Sequence, residues 1–411
     1  MVIHSAWALV LVSLGAAFLP SLSVRLRLPS VVLEILFGVL IGKSLLNLQF
    51  GEQWLSFLAH LGFLILMFHA GMEINFQMLK SQPAGMFAIQ VAVFVLTVLF
   101  SMAGAFVLGQ GFYLGLVLST TSLGLVVPTL KDTGASQSVL GQNALIAATL
   151  ADFLTLFAIT FFLLWHAEGF GWEFLRPLPL FVGFGVLLKL IQFLAWWYPE
   201  KVGRLLADRD SQELGVRFSL ALLFLFVALS ELAHLEPVLG AFLGGALLSI
   251  VFREKTYLEL KLSGFGYGFL VPLFFIHVGM QFDVANVLSV GQLFFTAKLL
   301  GLALVVKVLP CLLFVFGGLS VLKSLNIGLL MTSRLSLIIV AATIGLEFGF
   351  ITEAFKDAII LLAVITCLLG PSLFKAFFKS EAASSDSGGI EKRKLSAGWM
   401  RQWKSATQKQ D

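Results

Sequence analysis

Apolar runs of about twenty residues, the length a helix needs to cross a bilayer, recur along almost the whole chain. With soft edges they fall at 5–24, 29–48, 54–75, 84–109, 113–131, 139–166, 176–198, 213–233, 236–252, 266–283, 287–316, 322–347 and 353–378. The shortest is 236–252, and only His234–Pro237 separates it from the run before it. Of the 411 residues, 12% are charged, about half the share of a soluble domain. Mean hydropathy is +0.98, and the 41 Phe agree with a surface that faces lipid. The expected fold class is an all-α polytopic membrane protein with about 13 transmembrane helices.

The ends and the loops add orientation. MVIHSAWALV has no basic leader and no cleavage signal, so it reads as a first membrane helix. Cys311 and Cys367 both lie inside apolar runs and read as small packing residues. With thirteen crossings and the tail inside, the inner loops hold Arg25, Arg27, Lys80, Lys131, Lys201, Arg204, Arg209, Arg217, Arg253, Lys255, Lys261 and Lys323. The outer loops hold Lys43, Arg176 and Lys356. Twelve against three predicts the N-terminus out and the C-terminus in. Residues 379–411 read as a short, basic, weakly ordered cytoplasmic tail, too short for a nucleotide-binding domain.

The chain also repeats itself. VVLEILFG at 31–38 returns as PVLGAFLG at 237–244, and FHAGMEIN at 68–75 returns as IHVGMQFD at 276–283. GLVLSTTSLGLVV at 115–127 returns as GLLMTSRLSLIIV at 328–340. The order is kept, each copy covers five helices, and the copies stand seven helices apart. An odd offset makes them cross the membrane in opposite senses. The membrane domain, 1–378, then consists of inverted repeats at about 29–166 and 236–378, linked by helices at 176–233. Inverted repeats are an architecture of secondary transporters, with the binding site near the midplane.

One carboxylate stands where water should be absent. Asp152 lies in the middle of an almost wholly apolar stretch, Gly141 to Trp165. A charge at a helix centre costs on the order of 3 kcal/mol, and such residues mark ion or proton routes. Thr149 and Thr155 are three positions to either side and share its face. Hydroxyls and a carboxylate are the hard oxygen ligands of a small cation, and this carboxylate can hold a proton or a cation but not both. The bland alternative is a structural Asp paired inside the bundle.

The preceding run carries Ser119, Thr120, Thr121 and Ser122 in succession, followed by Gly124 and Pro128. A break there would free carbonyls and hydroxyls for an ion; a proline kink with hydroxyls bonded back to the helix is the alternative. In the repeat, Arg334 stands at the position of Thr121, where it could balance the charge of facing helix ends. Lys298 is a deep basic residue and is expected to be the partner of Asp152. Lys307, nine positions on and so on the opposite face, is expected to snorkel to the inner surface. Glu73 and Asp283 are repeat mates expected at helix ends. His69 and His277 are mates as well, without a third metal ligand at usable spacing; Lys189 and Glu34 receive no role. No nucleotide loop, nucleophile elbow or zinc-protease motif appears, so no enzyme, cofactor or nucleic-acid partner is expected.

LMFHAGMEINFQMLK, STTSLGLVVPTLKDTG, ALIAATLADFLTLF, EPVLGAFLGGALLS, GFLVPLFFIHVGMQFD, AKLLG and SRLSLIIV, in that order, resemble the Kef-type branch of the monovalent cation:proton antiporters. The resemblance covers about 29 to 375. It implies a homodimer of thirteen-helix subunits in a bacterial inner membrane, with two crossed broken helices in a core that moves against a fixed dimerisation scaffold. It implies exchange of Na⁺ or K⁺ for H⁺, with Asp152 as the ion-binding aspartate, Thr121 and Ser122 near the ion, and Lys298 and Arg334 as the basic residues of the following helices. Two positions depart from the pattern. Ala151 replaces a residue that is often Asp, Asn or Gln, so the proton count is not carried over, and Leu335 replaces the glycine after the arginine. Some members of that branch carry a long cytoplasmic nucleotide-binding domain and are gated by glutathione adducts; that gating is expected here only if a separate regulatory subunit supplies it. The rivals are a sodium-coupled symporter of organic anions and a channel or transport-dead sensor.

Overall fold

A computed structural model of the chain describes residues 2–3, 5–26, 28–50, 53–74, 82–136, 138–169, 177–197, 213–233, 235–251 and 256–378. The tail at 379–411 and the loop basic residues Arg27, Lys80, Arg176, Lys201, Arg204, Arg209, Arg253 and Lys255 lie outside the described residues.

Helices fill the apolar runs. They are α1 (Ser5–Leu26), α2 (Ser30–Ile41), α3 (Gln53–Met72) and α4 (Ala84–Val107), then α5 (Phe112–Ser119) and α6 (Leu123–Asp132), which share one run. Next come α7 (Val139–Glu168), α8 (Pro177–Trp197), α9 (Leu214–Leu232) and α10 (Pro237–Val251). α11 (Thr256–Phe265) continues through a π-helical turn, Gly266–Leu270, into α12 (Val271–Gln281). α13 (Val290–Cys311), α14 (Val321–Met331), α15 (Ser336–Glu347) and α16 (Glu353–Phe378) complete the set. Pro29 and Pro83 directly precede α2 and α4, where the missing N–H costs nothing. The Ser138, Ser289 and Ser320 hydroxyls cap α7, α13 and α14.

Among the described residues nine helices are long and apolar enough to cross a membrane, or ten if α14 and α15, bent by 48°, are one span. Shorter apolar helices, Ser30–Ile41, Pro179–Leu190 and Pro237–Val251, occupy the three remaining runs. Two boundaries differ from expectation. The run at 29–48 stops being helical at Ile41, because Gly42 turns extended and the chain folds back. The helix expected from 266 starts at Thr256, since Glu259 and Lys261 interrupt the apolar run but not the helix.

The helices form two groups. α1 to α3 pack with α9 to α12, and α4 to α7 pack with α13 to α15. α16 joins the second group through Phe355 on Phe295 and through Phe374. The main contact between the groups is α7 on α10, where the Phe153 and Phe242 rings lie 5.9 Å apart.

The two most extensive contacts in the first group each join one helix from each repeat. α2 lies on α12 and α3 on α10. Gly38 faces the Ile276 carbonyl and Gly279 faces the Ile35 carbonyl, while Gly71 faces the Phe242 carbonyl and Gly245 the Phe68 carbonyl. A Cβ at any of these four would overlap backbone, so glycine permits the approach. Gly71 and Gly279 are repeat mates, and each meets the helix that is the mate of its own neighbour. That exchange of partners is what a two-fold relation between inverted repeats produces.

Large apolar side chains cover the outside. Phe18 is 69% exposed, Phe106 84% and Phe316 83%. In a bilayer these face acyl chains, so their exposure carries no penalty.

Candidate functional site

α5 stops at Ser119 because Thr120 (ψ 155°) and Ser122 (φ −140°, ψ 104°) are extended, and α6 begins at Leu123. The break therefore precedes both Gly124 and Pro128; Pro128 lies inside α6 and does not make it. Local bonds hold the open turn: Ser119 Oγ donates to Leu116 O at 2.7 Å and Thr120 Oγ1 to Val117 O at 2.8 Å. The break leaves a carbonyl-rich negative end on α5 and an N–H-rich positive end on α6.

Two buried basic side chains meet the negative end. Lys307 Nζ donates to Ser119 O at 2.7 Å and to Thr121 Oγ1 at 2.6 Å. Arg334 Nε donates to Thr120 O at 3.1 Å, and its Nη2 to Ala303 O at 3.0 Å. Asp152 meets the positive end, where its Oδ2 accepts the Leu123 N–H at 3.0 Å. Each end of the interrupted helix thus faces charge of the sign its dipole favours.

Arg334 comes from the second break. α14 ends at Met331, Thr332 Oγ1 bonds back to Leu329 O at 2.6 Å, and α15 starts at Ser336. The side chain crosses to the first break, and Tyr113 Oη ties α5 to α15 by donating to Ala341 O at 2.6 Å. The two broken helices are therefore bonded to each other at the breaks and again between the start of α5 and the middle of α15.

The polar stripe on α7 has one open position. Thr149 Oγ1 donates to Leu145 O at 2.8 Å, and Thr155 Oγ1 lies 3.4 Å from Ser119 Oγ. Thr121 and Ser122 are buried at the break, and the Ser122 hydroxyl makes no capping bond. Asp152 Oδ1 is buried and receives no hydrogen bond. A buried carboxylate oxygen without a donor calls for a proton or a cation. Among the described residues no group of three His, Cys, Asp or Glu could hold a metal ion. One carboxylate with hydroxyls is a donor set for a monovalent cation or a proton.

The expected partner of Asp152 is corrected. Lys298 is exposed on α13, with its Nζ 4.5 Å over the Phe294 ring. Lys307, expected to snorkel, is 1% exposed and holds the break instead. The signal was present in the sequence. Thr296, Leu299, Ala303, Lys307 and Cys311 form one stripe of mostly small or polar residues, and all are buried. The face of Lys298 carries bulky Phe294, Val305 and Leu309, all exposed. Tyr113 was also missed, because nothing local marks an aromatic hydroxyl that bonds 228 residues away.

The transmembrane sodium/hydrogen exchanger family model matches residues 10–380. The chain belongs to that family. This exchanger is a transporter and not an enzyme, and it is a multi-pass membrane protein. It is 35% identical to YjbQ of Bacillus subtilis (strain 168), by name a Na⁺/H⁺ antiporter, over 92% of the chain and 64% of the relative's length. The chain thus spans just under two thirds of that relative. It is 27% identical to the Na⁺/H⁺-K⁺ antiporter GerN of Bacillus cereus, over 90% of the chain and 95% of GerN. In fold the exchanger resembles the sodium proton antiporter MjNhaP1 of Methanocaldococcus jannaschii, with a TM-score of 0.63 at 14% identity, covering 91% of this chain and 97% of that one.

Proposed function

We propose that this chain is a secondary antiporter of the Kef-type branch, exchanging Na⁺ or K⁺ for H⁺ with Asp152 as the shared binding group. The observation that carries the reading is the Asp152 carboxylate. One oxygen is fixed by the Leu123 N–H and the other is buried without a donor. Protonation of that oxygen satisfies it and releases the cation; cation binding satisfies it and excludes the proton. Thr121, Ser122, Thr149 and Thr155 supply neighbouring oxygens. Lys307 and Arg334 keep the break open by holding its carbonyls.

Asp152 adjoins Phe153, the residue of α7 that meets α10, so the site lies beside the contact between the two helix groups. Movement of the α4–α7 and α13–α16 group against the other would expose Asp152 to each side in turn. The rest of the reading is a thirteen-span membrane domain over 1–378, built from the two repeats and their linking helices, with a basic tail at 379–411. It includes a homodimer, a bacterial inner membrane, the N-terminus out and the C-terminus in, and any regulatory subunit as a separate chain.

An organic-anion symporter would need a helix N-terminus open to the substrate's carboxylate. Here the N-terminal Leu123 N–H is already taken by Asp152 of the chain itself. That favours a cation, and the kinship to Na⁺/H⁺ antiporters argues the same way against a channel or a transport-dead sensor.

Competition for one carboxylate is tested without a membrane. Purified protein in weakly buffered detergent should release protons when NaCl or KCl is added, and the Asp152→Asn variant should not. Absence of release with both salts from folded wild type, or equal release from the variant, would remove Asp152 as the shared site.

A further inference from the structure

We infer that Ser44 and Ser249 are hinge-positioning residues, each fixing to the first helix group the start of a chain segment that crosses to the second. The inference rests on the reading that the two groups move against each other.

The chain passes from the first group to the second between α3 and α4 and again between α12 and α13. At the second crossing Ser44, in the turn after α2, holds the chain twice. Its Oγ donates to Phe282 O at 2.6 Å and accepts the Val284 N–H at 3.0 Å. Lys43 N donates to Met280 O at 3.1 Å, so the end of α2 grips the end of α12 throughout. Inside this grip the Asp283 N–H already reaches Asp357 Oδ2 of α16, in the second group, at 3.4 Å, and beyond it the segment passes fully to that group. Asp283 caps the one-turn helix Val284–Leu288 through Ala285 N, and Ser289 caps α13. Gln292 of α13 then binds the Ala354 carbonyl, in the second group, at 3.1 Å. The span that can bend without breaking the Ser44 bonds therefore runs from Val284 to Ser289.

At the first crossing Ser249 Oγ of α10 donates to Ile74 O. Ile74 and Phe282 occupy the same place in the two repeats, as the register of FHAGMEIN on IHVGMQFD shows. Ser249 falls one residue before the position that the register of VVLEILFG on PVLGAFLG gives to Ser44. Each repeat thus holds the corresponding carbonyl with a serine hydroxyl, one from the turn after α2 and one from α10, a residue apart in register. A packing serine has no reason to recur in this role. A fixed anchor at the end of α3 and at the end of α12 does, because a rigid-body movement is transmitted only if the moving chain has a firm end.

The test uses full-length protein in proteoliposomes, comparing wild type, Ser44→Ala and Ser44→Thr. Loss of the clamp should lower the maximal exchange rate by roughly two- to tenfold, the factor one net hydrogen bond is worth, and leave the half-saturating cation concentration unchanged. Ser44→Thr, which keeps the hydroxyl, should restore the rate. In hydrogen exchange, the Val284 amide should exchange faster in Ser44→Ala and stay protected in Ser44→Thr. A wild-type rate in Ser44→Ala, or unchanged Val284 protection, would overturn the inference. A fall in rate matched by a change in half-saturation would also overturn it, since the substitution would then act on the ion site. Failure of the wild type to exchange at all would instead count against the transport reading, and the Val284 result would still decide the clamp.

Discussion

Lys307 Nζ lies 2.6 Å from Thr121 Oγ1, and the same ammonium holds the Ser119 carbonyl. A lysine buried in a membrane bundle is thus committed to keeping one helix interrupted, with Asp152 hydrogen-bonded at the other side of the gap. The charge at each end of the gap offsets a helix dipole, and the oxygen left over on Asp152 is free to bind.

Removing the ammonium should undo the gap. Lys307→Gln strands the Ser119 carbonyl and the Thr121 hydroxyl, at a cost of about 1–3 kcal/mol for each buried group left unpaired. We expect a lower melting temperature in detergent and loss of most exchange activity. Lys298→Gln should leave both near wild type, because Lys298 sits on an exposed face against Phe294. The reverse ranking of the two variants would return the charge role to Lys298.

Arg334→Lys tests the crossing of the two broken helices. Arg334 reaches Thr120 O and Ala303 O at once from a planar fork, which a lysine cannot copy. The variant should be destabilised by about 1.5–3 kcal/mol, the worth of a charged hydrogen bond. A melting curve that overlays wild type would mean the crossing is held by packing alone.

The glycine contacts between repeats predict a position-specific effect. Gly279→Val would drive a side chain into the Ile35 carbonyl and should cost at least about 1–3 kcal/mol. Gly264→Ala, with nothing close to the added Cβ, should leave stability unchanged or raise it by up to about 1 kcal/mol, the helix preference of Ala over Gly. Thermal unfolding of the two purified variants compares them directly; equal stability would mean that α2 and α12 can separate at little cost.

Orientation is checked with single cysteines. Cys311 and Cys367 are buried, so a membrane-impermeant thiol reagent should report only the introduced site. Lys43→Cys should react in intact cells, and Lys323→Cys only after the membrane is opened. Both positions are exposed, so the opposite pattern would invert the topology.

Much of this was legible because lipid removes alternatives. Apolar length gives the helices, and the shifted motifs give the repeats. A lone Asp152 among apolar residues needs a functional reason. The break at Thr120 was legible as a run of hydroxyls, but its place was not. Gly124 and Pro128 drew attention forward, whereas Pro128 is accommodated within α6. Lys298 and Lys307 show the limit most clearly. Periodicity says that they face opposite ways but does not say which way is inward, and that is decided by the helices packed around α13. The small residues of the Lys307 stripe carried the information, in the neighbours and not in the lysine. Ser44 carried none, since its meaning depends on a carbonyl 238 residues away.

The central claim is that Asp152 takes proton and cation in turn. The most direct measurement uses proteoliposomes with an internal pH dye, an imposed Na⁺ or K⁺ gradient and a clamped potential, comparing wild type with Asp152→Asn. The account predicts cation-driven proton movement in wild type, with the half-saturating cation concentration rising as pH falls, and none in the variant. Proton movement that persists in a folded Asp152→Asn protein would contradict it.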